Sequence, residues 1–582
     1  MDTDIRDTQE LMDALGRAMH AMVVLDHAGQ MQIPDPRSVQ DTFERLQAAL
    51  LADPERLFGA FARFCASMGE LCGWFGRRLA GSDEPGPVPT PATDRRFRDP
   101  AWEEDPRFSF MRQAYLLQSA WVAELLDGLE GLDEATQRRV RFYLGLAVDS
   151  LAPTNVFWTN PTALAEARKT DGQSVRRGII NWCRDIERGG GRLRIERTPA
   201  AAFEPGRNVA ATRGRVVFEN ELMQLIQYDP LTEKAMRRPL LIVPPWINKF
   251  YILDLGEKNS FIRWAVSQGI TVFVISWANP DRALGNKSFS DYLLEGPEAA
   301  TDAIERITGE RRVNMLGYCL GGTLTACHIA RMRALGEDRV ASAGFLTTML
   351  DFSDPGELGV FIDRQQLEQL ERAMESRGYL EARHMQEVFN LLRANDLIWN
   401  FHISKYLLGR DPQAFDLLYW NADGTRMPRM MHSFYLENMY LENRLVRPGG
   451  IELAGVPIDL GRIDIPTYFL STVEDHIAPW KSTFAGLRLL GGAKRFVLAG
   501  SGHIAGVINP QGSRKYGYRK VARPAATPWA FLEQAESHEG SWWPDWLSWL
   551  RRHGGGTVPA RALTDGPAGI EPAPGRYVRV QA

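Results

Sequence analysis

The sequence predicts an α/β fold, with a mainly parallel sheet covered by helices on both faces, preceded by an all-helical N-terminal domain. Two observations lead to this prediction. Residues 1–195 carry apolar side chains at the three- and four-residue spacing typical of helices. From about residue 203, short runs rich in Val, Ile, Leu and Phe alternate with helical stretches, which is the pattern of strands buried on both faces.

The N-terminal domain is predicted over residues 1–195, with one interruption. A stretch rich in Pro and Gly at about 81–96 indicates a linker between two groups of helices. The apolar spacing predicts the helices themselves at 8–25, 56–80, 107–129 and 134–151.

The second domain is predicted over residues 196–550. It begins at 215–228, where apolar and polar side chains alternate as they do in exposed strands. Short apolar runs follow, separated by helical stretches, and predict parallel strands at 239–245, 271–277, 312–316, 343–350, 466–472 and 495–500.

A long insertion lies between the last two groups of predicted strands. More than a hundred residues separate the run at 343–350 from the run at 466–472, and they are rich in Trp, Tyr, Phe and Met. A connecting loop of that length is rare, so the segment predicts an inserted lid, or cap, at about 352–445. Residues 551–582 are rich in Gly and Pro and are predicted to form an extended tail.

The composition excludes several classes of function. A formal net charge of -4 over 582 residues gives no electrostatic basis for nucleic-acid binding. No apolar run approaches the roughly 20 residues of a transmembrane helix, and no secretory signal is visible. The five cysteines are scattered and show neither a disulfide pattern nor a zinc-ligand spacing. We therefore expect a cytoplasmic protein with free thiols and no transmembrane segment.

The stretch "RVNMLGYCLGGT" at 312–323 has the form of a nucleophile elbow, with Cys319 where G-x-S-x-G has serine. A predicted strand precedes it and a predicted helix follows, so the thiol stands at a helix N-terminus, where a thiolate is favoured. A cysteine is more often a small buried apolar residue, and Cys327 is predicted to be one. For Cys319, the strand, the elbow glycines and the helix favour a nucleophile. The fold is accordingly predicted to be an α/β-hydrolase fold with an inserted lid (cap) subdomain.

The order of a hydrolase triad is nucleophile, acid, then histidine, with the last two placed after late strands. Asp475 directly follows the strand at 466–472, and its neighbour Glu474 is a weaker candidate. His503 stands in a Gly-rich turn after the last predicted strand, which favours it as the base. His476, adjacent to the acid, is the alternative base. His503 would take the proton of Cys319, and Asp475 would orient the imidazole.

Two backbone amides are predicted to form the oxyanion hole. The first is that of Leu320, immediately after the nucleophile. The second should come from the turn "VPPWINKFYILDL" after an early strand. Its prolines have no N–H, so Trp246 or Ile247 is the predicted donor, and the sequence does not choose between them.

A thiol nucleophile also narrows the substrate. An acylated cysteine is itself a thioester, so exchange with a thioester substrate is nearly thermoneutral. If an aromatic, Met-rich lid keeps water out, an acceptor such as an alcohol can take the acyl group. The residues therefore predict acyl transfer from a thioester through Cys319, and this chemistry calls for no metal or redox cofactor.

These residues resemble a known family, the polyhydroxyalkanoate synthases, and most closely the class I enzymes. The length of the chain and Tyr318 before the nucleophile fit that class, whereas the first 100 residues match only in being helical. The likeness extends from about residue 160 to the C-terminus in the stretches "TNPTAL", "AFEPGRNVA", "VVFENELMQLIQY", "VPPWINKFYILDL", "LGYCLGGT", "LTTMLDF", "RANDLIWN", "FDLLYWN", "EDHIAPW", "SGHIAGVINP", "GSWWPDWLSWL" and "EPAPGRYV".

The resemblance implies a reaction and a setting. Cys319 matches the family's nucleophile, His503 its base and Asp475 its acid. The implied reaction is polymerisation of (R)-3-hydroxyacyl-coenzyme A, most readily the 3-hydroxybutyryl thioester, into polyester with release of coenzyme A. The thioester is then a substrate, and no cofactor is implied. The resemblance further implies a homodimer at the surface of cytoplasmic polyester granules, with the N-terminal helices supporting both contacts.

Several choices stay open at this point. Either Asp475 or His503 would activate the 3-hydroxyl, and the effect of Trp246 on substrate choice is undecided. The Trp-rich stretch at 541–550 is interpreted as a helix packed on the sheet in preference to a polymer contact. Asp351 either orders the lid entrance or caps a helix. Alternative functions are a thioesterase or small-molecule acyltransferase with the same triad, or a non-catalytic granule-coating protein, against which the intact triad argues.

Overall fold

The structure is a computed structural model, and it describes residues 2–24, 34–91, 94–523, 525–561 and 570–582. Small parts of the predicted first helix, linker and tail, at 25, 92–93 and 562–569, lie outside the described residues. The chain forms two compact units: unit 1 comprises Met1–Pro199 and Glu387–Gln413, and unit 2 comprises Ala200–Gln386 and Ala414–Ala582. The domain limits drawn from the sequence stay a prediction.

Unit 1 is helical, as predicted. Several of its helices begin with an Asp-Pro pair, such as Asp53-Pro54, in which the carboxylate accepts a hydrogen bond from a first-turn amide. The helices of the N-terminal part are α1 (Asp2–Val24), α2 (Pro36–Ala52), α3 (Pro54–Leu79), α4 (Ala101–Glu104), α5 (Pro106–Leu126), α6 (Glu134–Ser150), α7 (Pro161–Lys169) and α8 (Gln173–Arg188).

Residues 387–413 belong to unit 1 although they come from the long insertion of the second domain. A buried ion pair fixes them there, because Lys405 Nζ lies 2.7 Å from Oδ2 of Asp185 on α8. The hydroxyl of Tyr406 donates to the same carboxylate at 2.6 Å. Both Lys405 and Asp185 have side chains almost fully withdrawn from solvent, so the contact specifies where this segment packs.

Unit 2 is built on an eleven-stranded sheet in the order β15-β14-β13-β12-β7-β6-β4-β5-β2-β1-β17. The six central strands, from β13 to β5, are parallel. The strands of the unit are β1 (Gly214–Glu219), β2 (Met223–Tyr228), β3 (Lys234–Met236), β4 (Leu240–Val243), β5 (Val272–Trp277), β6 (Val313–Tyr318), β7 (Val340–Leu346), β8 (Tyr379–Leu380), β9 (Met427–Pro428), β10 (Glu452–Leu453), β11 (Val456–Pro457), β12 (Thr467–Thr472), β13 (Lys494–Ala499), β14 (Tyr518–Lys520), β15 (Glu536–His538), β16 (Thr557–Pro559) and β17 (Glu571–Pro572).

The six predicted parallel strands are confirmed as β4, β5, β6, β7, β12 and β13, although β7 begins three residues before the predicted run. The prediction of exposed strands at 215–228 is wrong for β2. All six of its residues are buried, because β2 lies between β1 and β5 and is covered on both faces. The alternation of its sequence reflects paired polar groups, such as the buried Gln224, and not solvent.

Helices cover both faces of the sheet, which confirms the α/β-hydrolase class. The part of the cap that belongs to unit 2 includes α13 (Arg364–Glu375), α15 (Asp416–Ala422) and α16 (Arg429–Tyr435). The helices outside the N-terminal part are α9 (Phe261–Ser267), α10 (Phe289–Leu293), α11 (Ala299–Thr308), α12 (Leu320–Ala334), α13 (Arg364–Glu375), α14 (Ala382–Leu392), α15 (Asp416–Ala422), α16 (Arg429–Tyr435), α17 (Trp480–Gly486), α18 (Pro528–Gln534) and α19 (Trp543–Arg551).

The Trp-rich stretch at 541–550 packs on the sheet as interpreted from the sequence. Trp542, Trp543 and Trp546 are at most 1% exposed and surround Phe261 of α9. The stretch therefore forms core in this unit. Among the described residues, no helix is both long and apolar enough to cross a membrane.

Candidate active site

Cys319 stands in the sharp turn between β6 and α12, at the N-cap position of the helix. Its φ of 50° lies in the left-handed region, which is unusual for a residue with a side chain. The backbone is held on both sides, since the Cys319 amide donates to the Leu346 carbonyl at 2.9 Å and its carbonyl accepts from the Gly322 amide at 2.9 Å. The thiol is only partly buried. This is the geometry of a nucleophile elbow.

The glycines of the elbow allow close backbone contacts. A Cβ on Gly317 would lie 2.4 Å from the Gly322 Cα, and one on Gly321 would lie 2.1 Å from the Val243 carbonyl oxygen. Such distances are too short for any side chain. The glycines thus bring the start of α12 against the turn that follows β4, where the second oxyanion donor was predicted.

His503 lies in the turn after β13, and two contacts connect it to the elbow. Its imidazole interacts with the Cys319 side chain, which raises the pKa of His503. The neighbouring Tyr318 stacks on the imidazole, with ring centroids 5.7 Å apart, and donates its hydroxyl to the His503 carbonyl at 3.1 Å. Behind the turn, the indole N–H groups of Trp542 and Trp543 donate to the Val507 carbonyl at 3.2 and 3.0 Å. Imidazole and turn are therefore both held in place.

Asp475 lies in the turn after β12 and faces the imidazole. Its Oδ2 is 2.8 Å from Nδ1 of His503 and also accepts the Thr472 hydroxyl at 3.2 Å. Its Oδ1 accepts the amides of Ile477 and Ala478 at 2.9 and 2.8 Å. The carboxylate is completely withdrawn from solvent. Both oxygens are thus occupied by donors.

The structure brings Cys319, His503 and Asp475 together in the order that the sequence predicted. Of the weaker candidates, Glu474 is exposed, and the carboxylate that meets His503 belongs to Asp475. His476 is partly exposed in the turn beside Asp475.

The charges of the site favour a protonated imidazole. Burial by itself lowers the pKa of His503, but the nearby Asp475 carboxylate and the Cys319 side chain raise it, with the net result that the pKa rises to about 10. A thiolate beside an imidazolium is the reactive form of a cysteine–histidine pair. The arrangement can therefore supply a nucleophilic sulfur and, on the same histidine, a proton for a leaving group.

The predicted oxyanion donors lie on the two sides of the elbow. The amide of Leu320 belongs to the first turn of α12, where helix amides have no partner within the helix. On the other side, the carbonyls of Trp246 and Ile247 accept hydrogen bonds from Thr425, the latter at 2.9 Å from its amide. The Trp246 carbonyl shares its peptide group with the Ile247 amide, so the contact with Thr425 orients that amide. The choice between Trp246 and Ile247 as donor stays a prediction.

Two tyrosines of the cap stand near the nucleophile. The rings of Tyr435 and Tyr440 pack on each other with centroids 5.7 Å apart, and both residues interact electrostatically with Cys319. Phe352, directly after the turn that follows β7, packs on both rings. Tyr440 was not singled out from the sequence, because nothing local separates it from the other aromatic residues of the insertion.

Asp351 orders the loop that enters the insertion. Its carboxylate accepts Nδ2 of Asn443 at 2.9 Å, and the Asn443 side-chain oxygen accepts the Phe352 amide at 2.9 Å. Of the two roles considered for Asp351, the contacts favour ordering of the cap entrance.

Trp246 is buried between Trp277, Tyr292 and other aromatic rings.

Two family models match the chain. Residues 93–265 match the N-terminus of poly-beta-hydroxybutyrate polymerase (PhaC). Residues 242–510 match the alpha/beta hydrolase fold. The second match contains the elbow, Asp475 and His503.

Several relatives resemble the chain over most of its length. The poly(3-hydroxyalkanoate) polymerase subunit PhaC of Rhizobium meliloti (strain 1021) is 44% identical, and the alignment covers 98% of this chain and 94% of that protein. The poly(3-hydroxyalkanoate) polymerase of Methylorubrum extorquens is 46% identical, covering 93% and 90%. The polymerase subunit PhaC of Cupriavidus necator is 43% identical, covering 84% of each chain.

Proposed function

Since the chain belongs to the poly(3-hydroxyalkanoate) polymerase family, and is thus an acyltransferase that makes polyhydroxyalkanoate, we propose that it polymerises (R)-3-hydroxyacyl-coenzyme A through a covalent thioester on Cys319. The observation that carries this mechanism is the connected set of Cys319, His503 and Asp475 at a nucleophile elbow. The preferred substrate is the 3-hydroxybutyryl thioester, in keeping with the description of the family model that matches residues 93–265.

In the first half of the proposed cycle, the Cys319 thiolate attacks the thioester carbonyl of the substrate. The oxygen becomes an oxyanion, stabilised by the Leu320 amide and by that of Trp246 or Ile247. The bond to the sulfur of coenzyme A then breaks, and the His503 imidazolium gives its proton to that leaving thiolate. The acyl group remains on Cys319 as a thioester, and the imidazole is left neutral.

In the second half, the 3-hydroxyl of an incoming (R)-3-hydroxyacyl-coenzyme A attacks the thioester on Cys319. Neutral His503 takes the hydroxyl proton, the new ester bond forms, and the bond between the acyl carbon and the Cys319 sulfur breaks. The sulfur leaves as a thiolate beside the newly formed imidazolium, as at the start. The lengthened chain, now a coenzyme A thioester, acylates Cys319 again. The cycle requires no metal or redox cofactor.

The saturation of Asp475 supports His503 as the group that activates the hydroxyl. Four donors occupy the two oxygens of the carboxylate, and the side chain is inaccessible to solvent. A carboxylate held in this way has no position left for a substrate hydroxyl. Nδ1 of His503 faces Asp475, so Nε2 is the nitrogen available to the thiol and to the hydroxyl.

The proposal also covers the oligomeric state and the location of the enzyme. We propose a homodimer in the cytoplasm, acting at the surface of polyester granules, with the N-terminal helices supporting both contacts. The exposed apolar residues on α3, such as Phe58 and Phe61, are consistent with such a contact surface.

A product assay tests the reaction. Purified protein is incubated with (R)-3-hydroxybutyryl-coenzyme A beside a Cys319→Ala variant, and both thiol release and insoluble polyester are measured. We expect both products from the wild type and neither from the variant. Thiol release with only free acid would identify a thioesterase, and a soluble ester would identify a small-molecule acyltransferase. Polyester formation by the Cys319→Ala variant would refute the covalent mechanism.

A further inference from the structure

The last residues of the chain are docked on unit 2. β17 pairs antiparallel with β1 at the edge of the large sheet. Beyond it, the Tyr577 hydroxyl donates to the Asn220 carbonyl at 2.7 Å, and Val578 is 1% exposed. The described end of the predicted extended tail is therefore part of the fold of this unit.

Lys249 connects this tail to the turn that follows β4. Its Nζ donates to the carbonyls of Val578 and Val580 at 2.7 and 2.9 Å and forms an ion pair with Asp423 at 2.8 Å. An ammonium group has three N–H donors, and these contacts use all of them. Burial lowers the pKa of Lys249 while Asp423 raises it, as expected of a cation that depends on its few partners. Two of the three partners are backbone carbonyls of the tail.

The same turn presents the predicted second oxyanion donor. The Lys249 carbonyl accepts the Trp420 indole N–H at 2.7 Å, and the Ile247 carbonyl accepts the Thr425 amide at 2.9 Å. The cap segment thus holds the carbonyls of the turn, and the tail holds the Lys249 side chain. A second link joins tail and cap, because Asn279 contacts both the Val580 carbonyl and the Arg426 amide.

We propose that Lys249 is a positioning residue through which the C-terminal tail fixes the turn that carries the oxyanion donor. Without the tail carbonyls, the buried ammonium would lack two partners and would move towards solvent, rotating the peptide groups that precede it. A displaced donor stabilises the oxyanion poorly while leaving the thiol intact. The inference rests on the proposed function, because it assigns the tail an effect on the chemical step of that reaction.

Two variants and two matched controls test this role. Lys249→Met removes the ammonium and keeps the aliphatic stem, and deletion of residues 577–582 removes both carbonyls. Lys258→Met, at an exposed lysine nearby, and deletion of Ala582 alone are the controls. For each protein, kcat and KM are measured from coenzyme A release with (R)-3-hydroxybutyryl-coenzyme A. The rate of Cys319 alkylation by iodoacetamide, followed on its peptide by mass spectrometry, and the melting temperature are measured in parallel.

We expect kcat to fall at least tenfold in both variants, because loss of one oxyanion donor costs about 10²–10³ in kcat and a displaced donor somewhat less. KM and the Cys319 alkylation rate should stay within about twofold of wild type, and the controls should match wild type. The double variant should be little slower than the slower single variant, since both changes remove the contacts between Lys249 and the tail carbonyls.

Other results overturn the inference. Folded variants with unchanged kcat would show that the turn does not need the tail. A fall in alkylation rate in step with kcat would indicate general damage to the site and contradict the specific role. If Lys249→Met does not fold, the deletion variant decides the question by the same readouts. Failure of the proposed function is distinguishable, because the wild type itself would then release no coenzyme A.

Discussion

Cys319 is held in a backbone conformation that costs about 1–3 kcal/mol, with φ of 50° and ψ of -121°. Its neighbours compensate, since the hydrogen bonds to Leu346 and Gly322 fix the turn and the adjacent glycines admit the close contacts. The strain places the sulfur above the sheet, beside His503. At the scale of single residues, the glycines are therefore as necessary to the site as the thiol.

A substitution at Gly321 tests that statement. In Gly321→Ala the added methyl group would lie 2.1 Å from the Val243 carbonyl oxygen. Because this atom belongs to the backbone of a central strand, we expect a loss of about 3 kcal/mol in unfolding free energy and a loss of activity. Gly145→Ala, in a helix with open space around the site, should be neutral or slightly stabilising. Urea denaturation measures both, and an unperturbed Gly321→Ala protein would contradict the prediction.

The His503–Asp475 pair predicts a dependence of stability on pH. A histidine whose pKa is higher in the folded than in the unfolded chain adds stability below its unfolded pKa, about 6.5. It loses this contribution as the pH rises through the folded pKa, about 10. We expect Asp475→Asn to lower the unfolding free energy by about 3 kcal/mol near pH 6.5.

The difference between wild type and Asp475→Asn should then shrink steadily as the pH approaches 10. Urea denaturation at several pH values between 6.5 and 10 measures it. Glu474→Gln, at the exposed neighbour, is the control and should show little effect at any pH. A difference that grows with pH would refute the assignment of an imidazolium stabilised by Asp475.

At the scale of elements, local sequence patterns singled out the candidate triad residues. The contacts that hold those residues in place are tertiary and were not predicted. The elbow, Asp475 and His503 were found because each follows a strand with a clear apolar run. The tryptophans of α19 also predicted that this stretch packs on the sheet. They did not predict that the Trp542 indole donates to the Gly506 carbonyl, in the turn after His503. Contacts of that kind join side chains far apart in the chain, so no local spacing pattern predicts them.

The π-helical segment His402–Leu407 packs on α8 through Lys405 and Asp185. In Lys405→Met the Asp185 carboxylate would stay buried and would keep, among the described residues, Arg188 as its cationic partner, at 2.6 Å. We expect a loss of about 3 kcal/mol in unfolding free energy. Lys169→Met, at an exposed lysine of α7, should leave stability unchanged. Chemical denaturation followed by circular dichroism compares the two, and equal effects would argue against a stabilising role for the buried pair.

At the scale of the whole molecule, the path of the chain differs from a simple order of domains. The chain leaves unit 2 after Gln386, contributes residues 387–413 to unit 1 and returns to unit 2 at Ala414. The sequence predicted an insertion from its length and composition. It could not predict this division, because the partner of Lys405 lies 220 residues earlier.

Because residues 387–413 are part of unit 1, this path of the chain predicts how a fragment of the unit folds by itself. A fragment of residues 1–199 keeps Arg188 but lacks Lys405, the buried cation that pairs with Asp185, so we expect it to unfold at low urea or without a cooperative transition. Joining residues 387–413 to it should restore cooperativity. A short linker suffices, since the Arg197 side chain contacts Asn390 at 2.7 Å. The joined fragment with Lys405→Met is the control, and equal urea midpoints for all three fragments would refute the prediction.

The docked C-terminus has a practical consequence for anyone who purifies or immobilises this enzyme. Ala582 is only two residues beyond Val580, whose carbonyl is bonded to the buried Lys249. A bulky affinity tag attached directly there, or a bead pulling on it, would act on the turn beside the nucleophile. We therefore expect a tag at the C-terminus to need a flexible spacer.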